Sequence, residues 1–165
     1  MLLLTSTSDI VRVVTSAAAT INVHASYIDH ASGTITPGRT NTSISTATTT
    51  TVVAAPGAST QRNVKGLYIT NSHATTSCLV EVQHFDGTTS AELMGVTLLP
   101  GENLGFREDG SWVHRDANGA EYGFNPQIAA PYGISGTKAE SVPRNLAGVN
   151  IAAVRLGAHV IAGIY

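Results

Sequence analysis

Six histidines, eleven carboxylates and one cysteine are the side chains of this sequence best suited to metal ligation, proton transfer or nucleophilic attack. The histidines are His24, His30, His73, His84, His114 and His159. No two stand at the i, i+4 spacing by which one helix face presents two imidazoles to zinc, and no Cys/His pair has the spacing of a finger. His24 and His30 flank Asp29, which makes that trio the one local candidate for a metal site. The spacing favours histidines exposed on strands and loops instead, so no metal is expected.

Glu81, Glu92, Glu102, Glu108, Glu121 and Glu140 could pair across strands as the two carboxylates of a glycosidase. A chain this small does not usually build the deep cleft that such chemistry needs. His114-Arg115-Asp116 matches the kinase catalytic-loop triplet in letters only. It has no glycine-rich phosphate loop before it and no metal-binding Asp-Phe-Gly after it. There is no nucleophile elbow and no dinucleotide fingerprint. Cys78 has no partner for an intrachain disulfide and reads as a small buried strand residue. Asn41-Thr42-Ser43 is a formal glycosylation acceptor. The aromatics Tyr27, Tyr68, Phe85, Phe106, Trp112, Tyr122, Phe124, Tyr132 and Tyr165 could form a sugar-stacking platform, although such residues more often anchor cores and interfaces. These observations lead to an expectation of no catalytic residues, no cofactor and no enzyme.

The elements that must position these residues read as strands. Turn signals follow one another at Asp86-Gly87, Pro100-Gly101, Asp109-Gly110 and Asn118-Gly119. Asp-Gly and Asn-Gly supply the positive φ angles of tight hairpins. The apolar stretches between them predict an antiparallel meander in a sandwich or barrel. Upstream, strands are predicted over 9–15 and 17–28, where Ile21 and Val23 alternate with polar neighbours. Ser32-Gly33 and Pro37-Gly38 bracket a predicted turn region. The threonine-rich stretch 40–55 reads as strand rather than linker, because β-branched residues dominate it, and Pro56-Gly57 then breaks the chain. In 64–71, Leu67 and Ile69 share one face; further on, Cys78, Val80, Val82 and His84 share another, with Val80 and Val82 marking the core side. Met94, Val96 and Leu98 share a face, as do Leu104 and Phe106.

From residue 120 the texture changes. Pro126, Pro131 and Pro143, with Gly123, Gly133 and Gly136, forbid a long helix or a central strand. Regular apolar residues, Tyr122, Phe124, Ile128, Tyr132 and Ile134, suit an extended segment laid along a surface. Two strand-like runs, 149–156 and 158–165, close the chain around Gly157, with at most a short helical turn in 138–146. The predicted fold is therefore all-β: an antiparallel β-sandwich, jelly-roll-like or Ig-like, in residues 1–119, followed by an extended C-terminal arm and terminal strands in 120–165.

Composition bears on partners. Charged residues are 12% of the chain, against about 25% in an average domain. A monomer with so little surface charge is poorly protected against association, which favours a subunit whose faces are covered by neighbours. The net charge of −2 and the scattering of seven arginines around only two lysines, Lys65 and Lys138, leave no basic footprint for nucleic acid. Met1-Leu2-Leu3-Leu4 is too short for a signal h-region and lacks a basic flank, and no window reaches a transmembrane length. A soluble protein made in a cytosol is expected, with no membrane partner.

The block Gln61-Arg62-Asn63-Val64-Lys65-Gly66-Leu67-Tyr68-Ile69-Thr70-Asn71, then Cys78-Leu79-Val80-Glu81-Val82-Gln83-His84-Phe85-Asp86-Gly87-Thr88-Thr89, then the run from Leu93 to Gly101-Glu102, resembles small virion proteins of tailed bacteriophages, of head-decoration or tail-associated type. His24-Ala25-Ser26-Tyr27 and Pro37-Gly38-Arg39-Thr40 look like the N-terminal part of such proteins. The likeness is one of strands and turns and stops at Tyr122. It implies a non-enzymatic structural subunit located in the virion, touching copies of itself and other virion proteins, and leaves open head, connector, tail or fibre base. The interface would include Tyr122, Phe124, Ile128, Tyr132, Ile134 and Tyr165. The alternative is a carbohydrate-binding or receptor-binding sandwich with a host-surface glycan as partner, for which Trp112 and Tyr68 are the aromatics to test.

Overall fold

The computed structural model describes residues 1–122, of which Met1–Glu121 is one compact unit. Ten strands build it: β1 (Leu2–Leu4), β2 (Ile10–Thr15), β3 (Ile21–Ala31), β4 (Thr34–Ile44), β5 (Thr49–Val53), β6 (Thr60–Asn71), β7 (Cys78–Phe85), β8 (Ser90–Leu98), β9 (Asn103–Phe106) and β10 (Trp112–Arg115). The described residues include no helix, as expected for runs so rich in valine, isoleucine and threonine. One sheet has the order β10-β9-β6-β3-β4, with β1 also paired to β6; the other has the order β5-β2-β7-β8. All pairings are antiparallel.

The two orders are the same ribbon folded in half. β4 continues into β5, β2 into β3, β6 into β7 and β8 into β9, and neighbours in one sheet remain neighbours in the other. The fold line is a corner stitched by backbone hydrogen bonds. Thr15 N donates to Thr48 O (2.9 Å), Ser16 N to Leu79 O (3.1 Å), Ser72 N to Thr20 O (2.8 Å), and Gly101 N to Asn71 O (2.8 Å). The inward positions of each strand then meet across the fold. Val11, Val13, Ile21, Val23, Leu67, Ile69, Val80, Val82, Leu98 and Leu104 are all buried in one cluster. Phe106 and Trp112, with ring centroids 4.9 Å apart, close it along one side.

The all-β antiparallel sandwich and its period-two faces agree with the sequence reading. Several local expectations are corrected. The stretch 78–114 is not one meander: β7–β8 and β9–β10 are hairpins in different sheets, and Pro100-Gly101 lies at the corner between them. Pro37-Gly38 is not a turn. β3 and β4 pair without interruption from Ile21↔Ile44 to Ala31↔Thr34, and the loop is Ser32-Gly33 alone, both at positive φ. Pro37 is tolerated there because β4 is outermost, where a missing N–H breaks no ladder. The strand placed at 17–28 begins only at Ile21, because 16–20 form the corner. The threonine-rich stretch is strand on both sides of the corner, not through it. Met1 to Leu4, too short for a signal h-region, carries no strand signal, yet Leu2–Leu4 is β1, with Leu4 fully buried. The readings placed on residues 123–165, including Phe124, Ile128, Tyr132, Ile134 and Tyr165, lie outside the described residues; Tyr122 is half-buried.

Candidate functional site

The parity of a strand decides which polar residues can meet a ligand. In β3, Ile21, Val23 and Ala25 point into the core, so Asn22, His24 and Ser26 point outward. His24 is paired with Asn41 on β4 and with Tyr68 on β6; in the next row Asn22 is paired with Ser43 and Thr70. Those side chains, with Val23 and Thr42, line an open depression of about 390 Å³. None of the lining residues is Asp, Glu, Lys or Arg. His24 Nδ1 lies 2.7 Å from Asn41 Oδ1, and Asn22 Nδ2 donates to Ser72 Oγ at 2.9 Å. An amide oxygen only accepts, so the His24 contact requires the proton on Nδ1. Tyr68 is 49% exposed, and its ring stands 6.4 Å from the His24 ring, tilted by 34°.

Two glycines lie beside that ring, of which Gly66 is the tighter. A Cβ on Gly66 would stand 3.3 Å from Tyr68 Cε2, and one on Gly105 would stand 3.6 Å from Tyr68 Cδ1. The ring therefore leans over bare backbone on both its own strand and the neighbouring β9.

The trio His24, Asp29 and His30 does not converge. His24 faces outward into the depression, while Asp29 turns toward Arg62, which donates to its two oxygens from Nε and Nη2 at 2.7 Å each. These bonds hold the Asp29 carboxyl below its ordinary value, against burial, which alone would raise it. Among the described residues no group of His, Cys, Asp and Glu could hold a metal ion. Arg62 also donates to Ala54 O at 2.9 Å and lies 4.0 Å over the Tyr27 ring. Behind that ring sits Gly38, where a Cβ would come within 2.5 Å of Tyr27 Cε2. Close approach, not turning, is what requires glycine at this position.

Apart from Glu81 and Glu92, the carboxylates are dispersed. Glu102 is buried at the corner, where Oε2 accepts from Leu99 N (2.9 Å) and lies 3.0 Å from His114 Nε2. Glu121 accepts from both Arg107 and Arg115 at 2.7 Å, and Glu108 from Lys65 at 2.6 Å. Glu81 and Glu92 come together beside Gly95 on the outer face of the second sheet: a Cβ there would be 2.7 Å from Glu92 Oε1 and 3.7 Å from Glu81 Cγ. Glu92 is exposed, so it lacks the burial that raises a general acid. Asp86 and Asp109 do act as turn formers: Asp86 Oδ1 accepts from Thr88 N and Thr89 N, and Asp109 Oδ1 from Ser111 N. Asp116 does the same for Asn118 N and Ala120 N, which accounts for its place in the triplet His114-Arg115-Asp116.

Burial pushes the Asp9 carboxyl up. The backbone N–H groups of Thr5 and Ser6 and the Ser6 hydroxyl outweigh it, and the net shift is downward. His84 faces the same end of the sandwich with a buried Nε2 that has no hydrogen-bond partner among the described residues. Cys78 is buried and free. Of the aromatics, Trp112 packs on the core, Phe85 lies under the Arg12 guanidinium at 4.3 Å, and Tyr68 alone among the described ones is exposed. The outward amides of Asn22 and Asn41 carried a signal that sequence reasoning passed over. They are neutral residues on strand positions where a solvated face usually carries Lys or Glu. Compared with family models, with curated proteins and with solved structures, the chain has no match.

Proposed function

We propose that this chain is a non-enzymatic structural subunit of a tailed-bacteriophage virion, working through contacts with copies of itself and with other virion proteins. The observation that carries the reading is the state of the sheet edges. β4 is one of the two end strands of its sheet, eleven residues long with Arg39 as its single charge. β8 is the longer of the two end strands of the other, nine residues against five in β5, with Glu92 as its single charge. A free edge is a template for further pairing, and monomers usually blunt it with charge. β4 carries Pro37 and β8 a bulge near Leu93, but Met94 to Leu98 has neither device nor charge. The resemblance in strands and turns to small virion proteins points the same way. In this reading neighbouring subunits cap the edges, and Tyr122, Phe124, Ile128, Tyr132, Ile134 and Tyr165 become buried on assembly.

The test compares the full chain with Met1–Glu121, the compact unit that contains the described core. Light scattering should give an oligomeric mass for the full chain and a folded but smaller species for the shorter one, which keeps the strand edges and lacks the arm. The shorter chain should also fail to enter particles assembled in its presence. A full chain that stays monomeric at high concentration, or a truncated chain that enters particles at normal occupancy, would overturn the proposal.

A further inference from the structure

A sugar ring offers a C–H face that is apolar and a rim of hydroxyls that each donate and accept. Its complement is an aromatic plate flanked by neutral donors and acceptors fixed in place. The outer face of the first sheet has those parts. Tyr68 is the plate, leaning over Gly66 and Gly105 with nearly half its surface open. His24 rises beside it at a 34° tilt. Because His24 Nδ1–H donates to Asn41 Oδ1, His24 Nε2 is left as an acceptor and Asn41 Nδ2 as a donor. Asn22 Nδ2 is committed to Ser72, which leaves its Oδ1 to accept, and the Thr70 and Ser43 hydroxyls complete the rim.

We infer that this depression, centred on Tyr68, His24 and Asn41, binds a neutral saccharide. An acidic or basic ligand would find no counter-charge among the lining residues. A purely apolar one would strip water from two amides and a histidine without replacing those hydrogen bonds, which is unfavourable. The volume of about 390 Å³ suits one or two sugar rings and lies at the low end of small-molecule sites, roughly 300–1,000 Å³. A site this open binds weakly alone, but copies displayed together on one assembly would multiply it through avidity. The inference goes beyond the structural role and does not depend on it.

The test is saturation-transfer NMR on the full chain with neutral disaccharides (maltose, cellobiose, lactose and di-N-acetylchitobiose), with sialyllactose and digalacturonate as acidic comparators. Saturation should reach the C–H protons of one ring face of at least one neutral sugar. Tyr68→Ala should weaken binding by about tenfold or more, and Tyr68→Phe should stay within about threefold of the parent, because the stacking face is kept. Asn41→Ala, an exposed position, should weaken binding with an unchanged melting curve. Thr51→Ala, on the opposite sheet, should bind as the parent does. The inference is overturned if no neutral sugar receives saturation, if only the acidic ones do, or if Tyr68→Ala or Asn41→Ala binds like the parent. Molecular mass, measured separately, reports on the structural role, so either reading can fail while the other stands.

Discussion

Arg62 shows how much a single side chain can organise at the end of the sandwich away from the corner. Its guanidinium bonds Asp29 twice, bonds Ala54 O once and stacks on Tyr27, with the Arg62 side chain only 11% exposed. Asp29→Ala would strand that cation among partners it cannot neutralise. The expected cost is about 2 kcal/mol of unfolding free energy in urea, below the loss for a fully buried pair because Asp29 remains partly solvated. Gly38→Ala forces a Cβ into the Tyr27 ring and should cost about 1–3 kcal/mol, since the ring cannot retreat through the guanidinium. The pH dependence follows from the same carboxylates. Asp29 and Asp9 both titrate lower in the folded chain than in the unfolded one. Their contribution is therefore present above the unfolded value of about 3.9 and is lost as pH falls through the depressed folded values. Urea midpoints should drop below about pH 4, and Asp29→Asn should flatten the drop; parallel curves for parent and variant would refute the assignment. The separation of Asp29 from His24 and His30 was not legible in the sequence, because the strand was expected to stop at 28; its continuation to Ala31 puts Asp29 at opposite parity to both histidines. The Arg62 partnership was not legible either, because nothing local announces a contact made across paired strands.

At the scale of elements, the corner and β1 are where sequence reading and fold diverge. Turn residues were legible: Gly87, Gly101, Gly110 and Gly119 all have positive φ. What Gly101 cannot encode is whether the next strand returns to the same sheet. That is decided by the pairing of Leu67 with Phe106 and Ile69 with Leu104, a non-local matter. Asn71 is the residue that fixes the corner. Fully buried, it donates from Nδ2 to Thr76 O and Leu98 O and accepts from His73 N. Asn71→Ala leaves those three backbone groups without this partner and should cost about 2–4 kcal/mol, with hydrogen exchange accelerated first at residues 72–77. β1 exists because β9 covers β6 only at Leu67–Thr70, leaving the edge at Arg62–Val64 open for Leu2–Leu4. Three residues are too few to show a period, so the strand was invisible in the sequence. Leu4→Ala should cost about 2–4 kcal/mol through the cavity it leaves, and an unchanged melting temperature would mean that β1 is dispensable.

For the whole molecule, period-two alternation was enough to predict a sandwich because nearly every strand buries one face only. Sparse charge led only to the expectation of a surface that neighbours cover, which is the proposal made above. The edges link the sandwich to that proposal, and the proposal makes a specific demand on how association responds to salt. Contacts built from backbone pairing along Met94 to Leu98, whose outward positions are Gly95 and Thr97, would involve almost no fixed charge, so screening would have little to weaken. The oligomeric mass of the full chain should stay constant between about 0.05 and 0.5 M salt, although the Debye length shrinks severalfold over that range. Thr97 is exposed on β8, and Thr97→Lys places a charge beside the free edge without entering the core. Lysine is the residue by which sheet proteins keep edges apart. The variant should therefore melt within about 0.5 kcal/mol of the parent, as surface changes do, while its mass falls toward the monomer. An oligomer that dissolves in salt and ignores Thr97→Lys would place its contacts on the few ionic patches instead, such as Arg107, Arg115 and Glu121, and would remove β8 from the interface.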